Sequence, residues 1–230
     1  MCGRYIIRQQ AKAIREWEKY GPPPFLESYN VAPTQQVPIL RLQSGEPQFT
    51  TVRWGLVPFF ARGEPPKYST INARIETFET AASYRGPWRR GQRCLQLASG
   101  FYEWHLDEYG RKAPYLITVA DQELFAFAGL WDRSLKEDGT AVESCVHITM
   151  PANALMTDIH NSGNNPHRMP AIVGLPERDA WLRGSLEEAR AVLKPYPADL
   201  MDAYEVSTRV NSVKNNDPGL INPARTRSVA

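Results

Sequence analysis

Between residues 93 and 150 five short apolar runs follow one another at hairpin spacing, over 93–98, 100–105, 115–119, 125–130 and 144–150. Runs this short, rich in β-branched and aromatic residues and separated by turn formers, read as strands. More strands precede them. Residues 3–8 alternate as a first strand, and 37–42 and 49–57 form consecutive strands joined at Ser44-Gly45 before a Gly- and Pro-containing loop over 61–67. Helical spacing is confined to short stretches: 9–20, with Ile14 and Trp17 on one face; 80–90, interrupted near Gly86-Pro87; and 152–159, 176–182 and 185–193. A last strand fits 202–206. Many short strands with a few peripheral helices predict an α+β fold, a single domain with a curved, mostly antiparallel β-sheet or pseudo-barrel core flanked by short helices.

Composition narrows the classes. A chain of 230 residues that is 42% hydrophobic can bury a full core as one domain. Its three cysteines, Cys2, Cys94 and Cys145, are odd in number and widely spaced, so they indicate neither a disulfide framework nor a zinc ribbon. No two of the four histidines, 105, 147, 160 and 167, pair at metal-ligand spacing. No metal and no cofactor are expected. No leader and no run near the roughly 18 apolar residues of a membrane span are seen. A cytoplasmic protein and a monomer, without a membrane partner, is the expectation. The net charge of +2 is too small for bulk electrostatic binding of nucleic acid, so any such site must be local.

The chemistry-bearing residues begin at Met1-Cys2-Gly3-Arg4. Removal of Met1 before a small second residue would leave Cys2 with an α-amine and a thiol on adjacent carbons, both with a useful deprotonated fraction near neutrality. An amine condenses with an aldehyde to an imine, and the neighbouring thiol can add to it and close a thiazolidine. A small residue that merely starts a strand is the plainer alternative. Asn72, in Asn72-Ala73-Arg74, offers an amide suited to an amine or a sugar oxygen, or only a polar turn, and Arg74 offers a fork for phosphate. Asn30 before Pro33 fits a loop-stabilising role. In Gly100-Phe101-Tyr102-Glu103-Trp104, Phe101 and Glu103 share one strand face and Tyr102 and Trp104 the other. If that face is buried, Glu103 becomes a proton shuttle with a raised pKa; if not, it is a solvated strand residue. Trp104 suits stacking on a base or a place in the core. Asp158-Ile159-His160 ends a helix, where a histidine facing a cleft can act as acid or base.

These segments, with Tyr29-Asn30-Val31-Ala32-Pro33-Thr34, Trp54-Gly55-Leu56-Val57-Pro58 and Arg168-Met169-Pro170, stand in the order seen in the SRAP family, which the chain resembles from residue 2 to about 222, with 223–230 as a C-terminal tail. The resemblance implies a protein that recognises abasic sites in single-stranded DNA and crosslinks to them as a thiazolidine through the N-terminal cysteine, shielding the site during the DNA damage response and associating with the nucleoid when bound. By position it assigns Cys2 as the crosslinking residue, Asn72 as the amide beside it, Glu103 as the catalytic carboxylate and His160 as the catalytic histidine. His160 would assist opening of the sugar ring as a proton donor, and Glu103 would shuttle protons through imine formation and ring closure. It also implies phosphate contacts by Arg4, Arg74 and Arg168, stacking by Trp104 and a groove wall at Trp54. One departure stands out. The family separates its histidine from the following arginine by one residue, whereas seven, Asn161 to His167, intervene here. The excess reads as a loop insertion, and the preceding Asp158-Ile159 favours His160 over His167. Rival readings are an N-terminal-nucleophile amidohydrolase, a peptidase using Cys2 with His160, and a non-catalytic single-strand binder. Glutaminase assay, peptide turnover without DNA, and intact mass after mixing with abasic DNA separate them.

Overall fold

Ser44 and Gly45 both adopt positive φ, 52° and 84°, the mirror-image turn whose twist matches that of the strands it joins. It pairs two long strands residue for residue, from Gln43↔Glu46 to Gln36↔Arg53. A computed structural model describes residues 2–8, 15–21, 23–24, 27–120 and 122–224. Its strands are β1 (Arg4–Ile7), β2 (Ser28–Val31), β3 (Gln36–Gln43), β4 (Glu46–Trp54), β5 (Asn72–Arg74), β6 (Arg93–Ala98), β7 (Gly100–Leu106), β8 (Lys112–Val119), β9 (Phe125–Leu135), β10 (Ala141–Pro151), β11 (Arg168–Pro170), β12 (Ile172–Val173) and β13 (Met201–Glu205). The α-helices are α1 (Arg85–Arg89), α2 (Ala154–Ile159), α3 (Arg178–Arg183) and α4 (Leu186–Val192).

Two sheets result. One runs β13-β8-β7-β1-β2, antiparallel throughout. The other runs β11-β10-β4-β3-β6-β9-β12, and β9 also pairs with β10, closing β10, β4, β3, β6 and β9 into a five-stranded barrel. Its one parallel seam joins β10 to β4. Closure removes the exposed edges that an open sheet of this length would carry. At the closing seam, Gly129 of β9 leaves room for nothing larger: a Cβ there would meet the Val146 carbonyl at 2.8 Å and Cys94 Sγ at 2.9 Å.

Alternation along β1 divides the core. Tyr5 and Ile7 join the large cluster shared with Trp54, Phe101 and Phe127, while Ile6 turns to a second cluster with Tyr102, Leu116, Val206, Val210 and Leu220. The outer face of the smaller sheet is therefore covered by residues of the segment after β13. Asn30 of β2 ties that segment down, donating through Nδ2 to the carbonyls of Val210, Ser212 and Asn215 and accepting from Arg4 at Oδ1.

The α+β class and the sheet-rich single domain expected from the sequence are observed. Some local expectations are corrected. Gly86-Pro87 does not interrupt a helix but lies inside α1, because a proline in the first turn gives up an N–H that has no intrahelical acceptor anyway. Residues 72–74 and 168–170 are short strands, captured as partners by β10. Ser185 begins α4 with a reciprocal capping box to Glu188. Half of the helix expected over 9–20, residues 9–14, lies outside the described residues, and the described half ends in a single 3-10 turn at Glu18–Tyr20.

Gly129→Ala should lower stability by roughly 1–3 kcal/mol through overpacking of the seam. A urea midpoint equal to that of the unsubstituted protein would count against closure at this point.

Candidate active site

Asn153 caps α2 by accepting from the Met156 amide, and the helix ends about two turns later at His160. The His160 Nδ1 lies 3.0 Å from the Arg168 carbonyl and 3.1 Å from its amide nitrogen, so the same backbone residue serves either neutral tautomer. Nε2 faces Glu103 of β7, with 3.9 Å to Oε2. Glu103 is 2% exposed and on the inner face with Phe101, so the solvated alternative falls away. Burial pushes its pKa up to about 7, a rise that the positive chain terminus, the Trp104 amide and the Lys112 ammonium hold back. Burial, then the positive terminus, lowers His160 to about 4. Near neutrality the pair is thus a half-protonated carboxyl beside a neutral imidazole.

Cys2 lies against this pair. Its side chain is buried, and desolvation followed by the Glu103 charge raises its thiol well above the ordinary value. Sγ points at the Arg4 carbonyl at 3.7 Å. Asn72, brought in by the pairing of β5 with β10, donates Nδ2 to the Cys2 carbonyl at 3.2 Å. All four residues expected to be catalytic converge. A cavity of about 330 Å³ opens over Glu103 and His160, walled by Trp104, Lys112 and residues 162–165.

The seven residues between His160 and Arg168 leave His160 facing Glu103. The His167 amide donates to the His160 carbonyl at 2.7 Å, pinching off residues 161–166 as a loop. Asn161 anchors it by accepting from the Leu106 amide and donating to its carbonyl, each at 2.9 Å, as a further strand residue would. His167 adopts φ 57° and turns its ring to the Thr157 carbonyl, away from the cavity.

The residues expected to meet DNA are placed unequally. Trp104 sits on the cavity wall with Nε1 donating to Asn211 at 2.8 Å. Arg74 is about half exposed, near Glu76 and Asn165. Arg168 is buried, its guanidinium donating to both Glu76 oxygens and to the Thr149 carbonyl. Arg4 is committed to Asn30 and the Val210 carbonyl. Trp54 is a correction: it is fully buried, packed edge-on to Tyr5 and donating to the Ile71 carbonyl, so it belongs to the core and walls no groove. Sequence reasoning missed Lys112 and Asn211, which carry no motif signal and reach the site only because β8 pairs with β7 and the segment after β13 folds back. Among the described residues no cluster of His, Cys, Asp and Glu could hold a metal ion, and no helix is long and apolar enough to cross a membrane.

A closed barrel backed by a second sheet, with a cysteine at position 2 buried against a carboxylate and an imidazole, is the architecture of one class of proteins, and this chain belongs to it, the SRAP family. The family model, described as SOS response associated peptidase, matches residues 1–213. The chain is 36% identical to the abasic site processing protein YoqW of Bacillus subtilis (strain 168), over 96% of this chain and 99% of that protein. It is 33% identical to the abasic site processing protein HMCES of Gallus gallus, over 95% of this chain and 72% of that one. A crystal structure of a Bacteroides thetaiotaomicron protein superposes with a TM-score of 0.82 at 31% identity, covering 97% of this chain and all of the other.

Because the folded pKa of Glu103 is raised to about 7, the native state binds more protons than the unfolded chain between about pH 4.5 and 7. Stability contributed by this group therefore falls as pH rises through that window, by on the order of 3 kcal/mol. Glu103→Gln should be more stable than the unsubstituted protein at pH 8 and no more stable at pH 4. Parallel urea curves at both values check the sign.

Proposed function

We propose that this chain recognises abasic sites in single-stranded DNA and, once Met1 has been removed, captures them as a thiazolidine on Cys2, shielding the lesion from strand cleavage. The observation that carries the reading is a buried carboxyl poised near pH 7 beside Cys2, with a cavity above it. Relatives named as abasic site processing proteins support it.

The chemistry follows from an abasic deoxyribose opening to a C1′ aldehyde. His160, neutral with its Nδ1 accepting from the Arg168 amide, presents Nε2–H to the ring oxygen and assists opening. The Cys2 amine adds to C1′, and the carbinolamine loses water to an imine. The thiol then adds across the C=N bond, its sulfur to carbon and its proton to nitrogen. Aldehyde and aminothiol thus give thiazolidine and one water. Both proton transfers need a group that accepts and releases near neutrality, and Glu103 meets that condition. Asn72 fixes the Cys2 carbonyl, and its Oδ1, buried and unpartnered, is free to receive the new amine. A peptidase would need Cys2 as a thiolate paired to an imidazole. Here the thiol is raised, and its hydrogen bond runs to a carbonyl.

Denaturing electrophoresis with abasic and intact oligonucleotides tests the reading, with intact mass expected at protein less Met1, plus DNA, less water. Cys2→Ala should abolish the stable adduct and keep the fold. Glu103→Gln and His160→Ala should slow adduct formation about 10²–10⁴-fold with little change in affinity. A Cys2→Ala protein that crosslinks as stably as the unsubstituted one would overturn the reading.

The phosphate path runs along the rim. Lys112 offers charge outright and the half-exposed Arg74 shares Glu76 at 3.5 Å, whereas the buried Arg168 meets a phosphate only by exchanging Glu76 for it. Arg74→Ala should make the log–log salt dependence shallower by about 0.7, one phosphate on a single strand. Glu76→Gln, which frees two guanidinium groups, should tighten binding and steepen that dependence. Fluorescence titration at several salt concentrations measures both, and an unchanged slope in both variants would move the path elsewhere.

A further inference from the structure

His147 is a buried titratable side chain beside Cys2 that the chemistry above leaves unused. It stands mid-strand in β10, across from Asn72 on β5 and from Gly129 on β9. Its ring is tilted against Trp54 at 5.3 Å and Phe127 at 5.1 Å. The side chain has no exposed surface, and neither ring nitrogen has a hydrogen-bond partner of good geometry. Buried polar groups are nearly always paired, and a leucine or phenylalanine between these two rings would carry no such cost. What the imidazole faces is the main chain of Cys2, at its carbonyl. That same carbonyl already accepts from Asn72, the residue opposite His147 in register.

We infer that His147 is a positioning residue for Cys2, forming with Asn72 a two-donor seat for the Cys2 carbonyl that turns the α-amine and Sγ toward Glu103 and His160. A carbonyl oxygen has two lone pairs and can accept both donors. Removal of Met1 creates one new polar group here, the Cys2 amine, and with Asn72 Oδ1 to receive it the terminal residue is held at both ends. The seat stays uncharged: burial and then the positive chain terminus lower His147 to about 3, so no imidazolium opposes the amine. The inference rests on the capture chemistry proposed above, since a seat for an amine and a thiol matters only if both react.

The test compares His147→Leu, which keeps an apolar filling, with His147→Gln, which restores a donor. Single-turnover crosslinking at saturating abasic single-stranded DNA, the dissociation constant and the urea midpoint are measured for each. Misplacement of a reacting group by about 1 Å costs up to roughly 10²-fold in rate. The leucine variant should therefore crosslink about 10- to 100-fold more slowly, with affinity and urea midpoint preserved, and the glutamine variant should recover most of the rate. A leucine variant that crosslinks at the unsubstituted rate overturns the seat while leaving capture standing. Absence of crosslinking by the unsubstituted protein overturns both. Should leucine not fold, the nitrogen-15 spectrum of the Met1-free protein decides: a His147 N–H shifted by a hydrogen bond that Cys2 and Asn72 substitutions perturb supports the seat, and an unbonded ring overturns it.

Discussion

The pairing of β10 constrains the site more than any other contact. One edge of this strand is taken by β9 over residues 141–147 and then by β11 over 149–151, and the other is shared in turn by β4 and β5. Buried N–H and C=O groups must find a partner, and the three-residue β5 finds its own along β10, from His147 to Thr149. That register sets Asn72 opposite His147 and hence against Cys2. The same strand, four residues on, sets Arg168 opposite Pro151 and so delivers the backbone that orients His160. A slip of one residue would turn Asn72 to the other face and dismantle the site without changing a single side chain.

Water exclusion then does the electrostatic work. Removed from solvent, the Cys2 thiol and the Glu103 carboxyl are pushed toward their neutral forms, as are the two imidazoles of His147 and His160. The interior is thus polar but almost uncharged, and the cations sit at its rim, in Lys112 and Arg74. This separation fits a chain of net charge +2: the proposed DNA strand need only be met where its backbone passes, while Cys2, Glu103 and His160 remain shielded.

Much of the fold was legible, because short alternating runs and the Ser44-Gly45 turn are local signals. The segments 72–74 and 168–170 were not, since they become strands only through a partner far away in sequence. Alternation in β7 told which residues share a face with Glu103 but not which face is buried; the barrel packed against it decides that. The ordered motifs located Cys2, Asn72, Glu103 and His160, which the fold brings together. They misled at Trp54, whose motif marks a core position rather than a surface one, and they gave no hint that Arg168 is matched to Glu76. His147 bore no motif at all, and its interest arises only from being a buried polar side chain set beside the Cys2 main chain.

The pinched base of the loop over residues 161–166 has a consequence for how such a chain diversifies. Because the His167 amide closes on the His160 carbonyl, with His167 in the left-handed region, the histidine and the Arg168 strand keep their spacing whatever lies between them. Loop length is thereby decoupled from chemistry, and closure entropy grows only slowly with length. Yet residues 162–165 form one wall of the cavity. Selection can therefore remodel what enters the cavity by inserting or deleting residues at a single point, leaving Glu103 and His160 where they are.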